Sequence, residues 1–473
     1  MRECTQFYIN GRWVDPVQPR TAQVINPASE APSGRISLGS QADVDAAVAA
    51  AKAAFPVWSA TSVAERLELL KALVAEYERR AGDLGAAITE EMGAASGLAN
   101  TFHVHLGMGH LTTAIEILEK YQFEELRGQT MIRKEPIGVC GLITPWNWPM
   151  NQTCVKAFPA LAVGCTMVLK PPQLAPYSAQ ILAEMIDAVG FPAGVFNMVQ
   201  GKGSEIGSAL STHPDVDLVS FTGSEEVGIQ IAKDAAGTVK RVCQELGGKS
   251  AFIVLDDASA LDNIAAATGG MMGNCGQTCS AGSRLLVPEH LLEQAKGVMR
   301  SAAEAVTVGD PTTDVAMGPV VSKSQFDIIQ RYINDAIDDG AELVAGGPGR
   351  PDGLEIGYYV KPTVFITDNQ MPIAREEVFG PVLCVIPYKD IDHAVEIAND
   401  SDFGLAGYVN GEDVEACRAV ARRIRSGWIS INGGFDFHAP FGGYKKSGNG
   451  REWGEWGFEE YLEVKAMLGY EAS

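Results

Sequence analysis

Residue type and company mark candidates in this chain for a nucleophile, a base and an oxyanion donor. The segment GGMMGNCGQTCSAGSR (269–284) sets Cys275 and Cys279 among glycine, asparagine, glutamine and serine, a composition foreign to a core strand. A reactive thiol needs access and nearby donors that hold its thiolate, lowering an ordinary pKa of about 8.5. On composition either cysteine qualifies, and so does a buried thiol in a glycine-rich turn. Glu245 precedes Leu246-Gly247-Gly248-Lys249. A carboxylate at such a strand end can face a cleft, where partial burial raises its pKa toward that of a general base, or it can be a surface residue before a turn. Asn147, in TPWNWP, is flanked by Trp146, Trp148 and two prolines. A loop that stiff can hold an amide against a developing oxyanion, the alternative being an ordinary turn asparagine.

A second group of residues suits an anionic ligand. Phe221-Thr222-Gly223-Ser224 closes a predicted strand and opens a predicted helix. Backbone N–H groups at a helix start favour pyrophosphate, and Gly223 allows close approach. No GxGxxG is present, because the glycine after Gly201-Lys202-Gly203 is Gly207, so glycine spacing alone says little about a dinucleotide. Lys170 ends TMVLK beside Pro171-Pro172, placed for a ribose hydroxyl or a phosphate. No metal site is expected. The seven histidines are scattered, His103 and His105 lack Cys or Asp at ligand spacing, and His213, before a proline, suits a turn.

The elements that must position these residues follow a βαβ rhythm. VCGLITPW (139–146), TMVLK (166–170), VFNMV (195–199) and VDLVSFT (216–222) are short β-rich runs, with helical patterns at Ser178–Val189 and Glu225–Ala236 between them. The repeat predicts an α/β fold, a doubly wound parallel sheet with ligand at the carboxyl ends of its strands. SAFIVL (250–255) opens a second α/β region, about 247–444, whose later strands are GYYVKPTVF, PVLCVIPY and SGWISING. Upstream, FYINGRWV (7–14) carries an Asn-Gly hairpin signal. Helices are expected over 41–54, over 62–92 with Gly93 as the stop, and over about 98–120. The segment 121–140 and the tail 451–473 fit neither region. Tyr461–Met467 is strand-like and needs cover, as an edge strand of its own subunit or by addition to a partner.

Bulk properties bound the partners. The 473 residues suggest two to four domains, and 46% hydrophobic with 20% charged residues is globular composition. A formal charge of -22 would repel phosphates, so neither nucleic acid nor an anionic membrane is an expected partner. No run reaches the ~18 apolar residues that span a bilayer. The start, MRECTQFYINGRWVDP, has no apolar signal core. Nine irregularly spaced cysteines suit reduced thiols, and a cytoplasmic location is expected.

FYINGRW, TPWNWP, VLKPPQLAP, FTGS, ELGGK, GQTC, EEVFGPV and PFGGYKKSGNGRE, in that order, resemble the aldehyde dehydrogenase superfamily over essentially the whole chain. Cys279 follows Glu245 by 34 positions, the interval that family shows between base and nucleophile, and it ends GQTC, which selects it over Cys275. The resemblance implies a Rossmann-like cofactor domain (1–120 and 141–246), a catalytic α/β domain (247–444) and a small bridging sheet (121–140 and 451–473) that builds a homodimer or homotetramer. It implies oxidation of an aldehyde to an acid. Cys279 forms a hemithioacetal and then a thioester, Asn147 and the Cys279 N–H hold the oxyanion, Glu245 activates water, and Lys156 relays a proton. It places Ile143, Thr144, Trp146 and Lys170 around adenosine, and Gly223, Ser224 and Val227 near pyrophosphate. Leu246, Glu377 and Phe379 lie by the nicotinamide and its ribose. Trp148 and Phe441 line the aldehyde channel, with Asn274, Cys275 and Thr278 at its inner end. Where the family often has glutamate after Lys-Pro-Pro, this chain has Gln173, which removes a repulsion from a 2′-phosphate, so NADP is an expected cofactor beside NAD. Two rivals are a coenzyme-A-acylating semialdehyde dehydrogenase, against which Glu245 weighs, and a non-catalytic structural protein on the same fold.

Overall fold

A computed structural model describes residues 1–471. Two large sheets carry the molecule. The first has eight strands, in spatial order Gly448–Asn449, Arg241–Glu245, Leu218–Thr222, Val139–Ile143, Thr166–Lys170, Phe196–Met198, Phe7–Ile9 and Arg12–Val14. The five from Arg241–Glu245 to Phe196–Met198 are parallel, and antiparallel neighbours flank them on both sides. Strands 139–143, 166–170 and 218–222 are buried at every residue, which is why they are almost purely apolar: helices cover both faces. Chain order reverses between 139–143 and 218–222, so a crevice opens beyond Ile143 and Thr222, where doubly wound sheets bind ligands.

The hairpin Phe7–Val14 forms as its Asn-Gly signal predicts. Asn10 and Gly11 both have positive φ (52° and 69°), as a two-residue primed turn requires. Helix Val63–Met92 starts at a Ser62/Glu65 capping box and stops at left-handed Gly93. Ser96–Leu118 is helical throughout, but Ala99–His103 widens into a π-turn that periodicity did not show. Helix Pro149–Val163 was not anticipated either. All but one of its residues are buried, so no polar face gives a 3.6-residue rhythm. Its only local marks are Pro149 at the start and Gly164 (φ 101°) at the end.

The second sheet has seven strands, ordered Glu342–Ala345, Thr363–Ile366, Val382–Tyr388, Arg284–Pro288, Ala251–Val254, Ala406–Asn410 and Trp428–Ile431, all parallel except the first. A third, antiparallel sheet joins Glu124–Arg127, Thr130–Pro136 and Leu462–Met467. The tail therefore pairs within its own subunit, and the outer edge of Leu462–Met467 stays free, with Val464 65% exposed. Two expected boundaries shift. Val139 and Cys140 begin a central strand of the first sheet, and Gly454–Glu459 is a helix packed on the helices Val104–Leu118 and Pro149–Val163. Strands 2–4, 21–26 and 31–37 form a further small sheet that was not foreseen. Among the described residues no helix is long and apolar enough to cross a membrane.

Gly93 ties the long helix to the second half of the chain. At φ 79° a Cβ there would lie 2.7 Å from Pro319 Cγ and 2.9 Å from Pro27 Cγ. Gly93→Ala is expected to lose about 2 kcal/mol through left-handed strain and overpacking, with the thermal midpoint several degrees lower. An unchanged melt would show that the junction gives way freely.

Candidate active site

The loop Gln277–Ser283 feeds the buried strand Arg284–Pro288 and carries Cys279, the one cysteine of nine that is not buried. Its carbonyl packs against Gly248, where a Cβ would come within 2.3 Å, so the nucleophile loop sits directly on Leu246-Gly247-Gly248. Desolvation by the surrounding protein raises the pKa of this partly exposed thiol, Glu377 and Glu245 raise it further, and the Ser280 N–H opposes them. At rest the group is a protonated thiol. Cys275 points elsewhere. Its Sγ donates to the carbonyls of Gly318 (3.2 Å) and Pro319 (3.5 Å) inside the second core, which corrects its expected place in the aldehyde channel. The reason is backbone geometry: Asn274, Cys275 and Gly276 are consecutive left-handed residues (φ 51°, 56° and 66°) that turn the Cys275 side chain inward.

Glu245 ends the strand Arg241–Glu245 and is 4% exposed, and neither carboxylate oxygen has a hydrogen-bond partner. Burial drives its pKa well above the usual carboxylate range, and the nearby Glu452 adds to the rise while Lys156 and Arg451 oppose it. Gly442 closes over it, since a Cβ there would lie 2.8 Å from Glu245 Oε1. Lys156 is fully buried on helix Pro149–Val163. Its Nζ donates to Ser220 Oγ at 3.0 Å and is ion-paired with Glu452. Glu452 carries no local sequence signal, although a lysine on an almost wholly buried helix demands a counter-charge.

Asn147 is 2% exposed and held to the nucleophile loop from both ends. Its Nδ2 donates to the Gln277 carbonyl (3.1 Å), and its own carbonyl accepts from Asn274 Nδ2 (2.9 Å). Trp148 Nε1 donates to Thr278 Oγ1 at 3.0 Å. These bonds clip a loop of the first sheet to a loop of the second. An apolar groove of about 500 Å³ lies alongside, lined by Phe102, Trp148, Gly270, Asn274, Thr278 and Tyr408 among others. Phe441 is not in it. That ring stacks on Trp453 (5.1 Å, 20°) in a separate aromatic cluster with Phe435 and Phe437. The five expected channel residues thus divide into three on the groove, one in the cluster and one in the core.

Several of the expected cofactor residues follow the carboxyl ends of the strands at the sheet reversal. Ile143 and Thr144 leave one central strand, and Lys170 ends the next, buried so that its pKa falls to about 8. Thr144 N donates to the Lys170 carbonyl (3.2 Å). Gln173 is half-buried just beyond. Gly223 and Ser224 precede helix Glu225–Ala235, whose first turn receives no side-chain cap, and Val227 stands 47% exposed on it. Leu246 packs under this helix against Gly228. Across the cleft, Glu377 Oε1 accepts from Gly248 N (2.9 Å), and burial lifts its pKa to about 7. Phe379 meets Trp146 edge to face at 5.4 Å. Uncapped helix N–H groups and the partnerless buried hydroxyls of Thr144 and Thr222 fit a polar, anionic ligand such as a dinucleotide.

Comparison with known proteins finds matches over almost the whole chain. A model of the aldehyde dehydrogenase family matches residues 13–467. The chain is 52% identical to 3-succinoylsemialdehyde-pyridine dehydrogenase of a Pseudomonas species, across the full length of both. Its structure is similar to aldehyde dehydrogenase C of Pseudomonas syringae, a cysteine-to-alanine mutant complexed with NAD+ and octanal (TM-score 0.98, 47% identity, 99% of this chain and 98% of that one). It also resembles a Mycobacterium tuberculosis aldehyde dehydrogenase complexed with NAD+ (TM-score 0.96, 39% identity, 98% of each chain).

The Lys156–Glu452 pair makes a stability prediction. Removing one buried partner strands the other charge, so Glu452→Leu is expected to cost about 3 kcal/mol or more. The double variant Lys156→Met/Glu452→Leu should recover most of that loss. Denaturant titration of the four proteins measures the cycle, and additive losses would mean that the two charges do not depend on each other.

Proposed function

This chain belongs to the aldehyde dehydrogenase family, and from that premise we propose that it oxidises an aldehyde to a carboxylic acid, with Cys279 as nucleophile and Glu245 as the base that activates water. One observation carries the reading: the single accessible thiol lies on a loop hydrogen-bonded to that of Asn147, within the electrostatic reach of a buried, partnerless carboxylate. Cys279 Sγ adds to the carbonyl carbon as its proton passes to solvent water, and the Asn147 amide with the Cys279 N–H accommodates the oxyanion. NAD, when bound, supplies the hydride acceptor that turns the adduct into a thioester. Glu245 then takes a proton from water as the water attacks the thioester, and the Cys279 thiol is released with the acid. Lys156, paired with Glu452, sets the local charge behind Glu245.

The proposed division of labour places NAD on the eight-stranded unit and the nucleophile on the seven-stranded one. For the substrate we infer an uncharged aldehyde with an apolar tail. The Pseudomonas relative is named for a semialdehyde bearing a pyridine ring, and the Pseudomonas syringae relative was complexed with octanal. An apolar groove of about 500 Å³ beside the Asn147 loop suits such a body. The free outer edge of Leu462–Met467 supports a homo-oligomer.

Three experiments test these proposals. Because burial and Glu452 raise the Glu245 pKa, the base is protonated and idle at low pH, so turnover should climb with pH along a limb lying above the ordinary glutamate value of about 4.3. Glu245→Gln should retain a single-turnover burst of NADH but lose steady turnover by about a hundredfold or more, whereas Cys279→Ala should lose both. Full steady turnover of either variant would refute the mechanism. With Gln173 in place of an acidic residue, NADP should support turnover at well above a thousandth of the NAD rate. Steady-state kinetics below that fraction would show that Gln173 still excludes a 2′-phosphate.

A further inference from the structure

His103 lies deep beside the clipped loops, 1% exposed, and none of the steps above uses it. The chain delivers it there through the π-turn Ala99–His103, a register shift of the kind that often accompanies function. The turn is secured from outside. Tyr77 OH donates to the Val104 carbonyl at 2.9 Å, and helix Val63–Met92 approaches so closely at Gly85 that a Cβ would lie 2.0 Å from Asn100 Oδ1. The imidazole stacks on Trp148, with ring centroids 4.1 Å apart and planes 28° from parallel. Its Nε2 is 3.2 Å from Asn274 Oδ1.

Asn274 is the bridge between the two clipped loops, and its amide cannot turn over. Nδ2 donates to the carbonyls of Asn147 (2.9 Å) and Gln277 (3.3 Å), so a flipped amide would set its oxygen against two oxygens. Oδ1 must therefore accept, and His103 Nε2 carries the hydrogen. Burial keeps the ring neutral, with its pKa down at about 3, so this donor persists at every working pH. Without it, Asn274 Oδ1 becomes a buried acceptor with no partner. Rotating the amide to relieve that would break the bonds that hold the Asn147 main chain.

We propose that His103 is the positioning residue of the oxyanion asparagine: by fixing the Asn274 amide it fixes the backbone of Asn147, and so aims the Asn147 side chain at the aldehyde oxygen. The inference rests on the role proposed above for Asn147. It assigns His103 a part in the transition state rather than in substrate binding. Losing an oxyanion donor outright costs roughly 10²- to 10³-fold in kcat, so misaiming it should cost less, about tenfold.

The test is steady-state kinetics of the full chain with octanal and NAD. His103→Phe keeps a ring on Trp148 but removes the donor. It is expected to lower kcat about tenfold while KM for both substrates stays within about threefold. His103→Gln restores a side-chain N–H and should recover to within about threefold of the parent. In an Asn147→Ala background, His103→Phe should lower kcat by less than about twofold, because there is no amide left to aim. If His103→Phe does not fold, Asn274→Ala severs the same link and should show the same kcat loss and the same non-additivity. Additive losses, a raised KM at unchanged kcat, or a His103→Gln variant as slow as His103→Phe would each overturn the inference. Parent-like kcat in Asn147→Ala would remove the oxyanion role and this inference together. A damaged Asn147→Ala combined with additive losses would leave that role standing and overturn only the part given to His103.

Discussion

Everything at the proposed site depends on a few buried hydrogen bonds between two loops that belong to different sheets. Asn147 reaches the Gln277 carbonyl, Asn274 reaches the Asn147 carbonyl, and Trp148 reaches Thr278. Each sheet could shift by an ångström without disturbing its own core, because its hydrophobic contacts are non-directional. Hydrogen bonds are directional, and a buried amide that loses its partner is costly. The seam therefore converts two independently packed units into one frame in which Asn147 and Cys279 keep a fixed relation. Left-handed Asn274, Cys275 and Gly276 are the backbone strain that this frame accepts. Gly276 is obligatory among them, since a Cβ there would meet the Gly380 carbonyl at 2.0 Å.

The second constraint is charge in a dry place. Glu245, Glu452 and Lys156 crowd one buried region, with one cation for two carboxylates. Lys156 is committed to Glu452 and Ser220, which leaves Glu245 without a partner and with a raised pKa. A carboxylate neutralised by a salt bridge would be a poor base, and a solvated one would be too weak. Withholding the lysine from Glu245 keeps its proton affinity raised, as a general base requires. Glu377 is similarly lifted to about 7 by burial. Both carboxylic groups oppose ionisation of the Cys279 thiol.

The apolar surroundings divide into two sets that sequence alone would merge. Trp148, Phe102 and Tyr408 line the groove, while Phe435, Phe437, Phe441 and Trp453 stack on one another. Trp453 adopts φ 66° to reach its place, an unusual conformation for a bulky residue. It follows Glu452 directly, so the same strained turn that buries the counter-ion of Lys156 also seats the aromatic cluster.

Local rules determined much of this protein. Asn10-Gly11 declared a hairpin, Ser62 and Gly93 bounded a long helix, and the apolar runs ending at Ile143, Lys170 and Thr222 declared a parallel sheet, because each signal is a backbone preference of a few adjacent residues. Motif order pointed to the family and to Cys279 and Glu245 as a pair. Tertiary structure decided the rest. Helix Pro149–Val163 was silent because burial on nearly all sides erases periodicity, and the π-turn at Ala99–His103 packs against another helix. Cys275 and Cys279 have nearly the same neighbours in sequence, and only three left-handed residues send one thiol into the core while its neighbour stays accessible. Glu452 and His103 carry no mark of their own in the chain. Their importance lies in which groups they meet across nearly 300 and 171 residues of separation, and distance through space is set by the packing of whole sheets rather than by local preference.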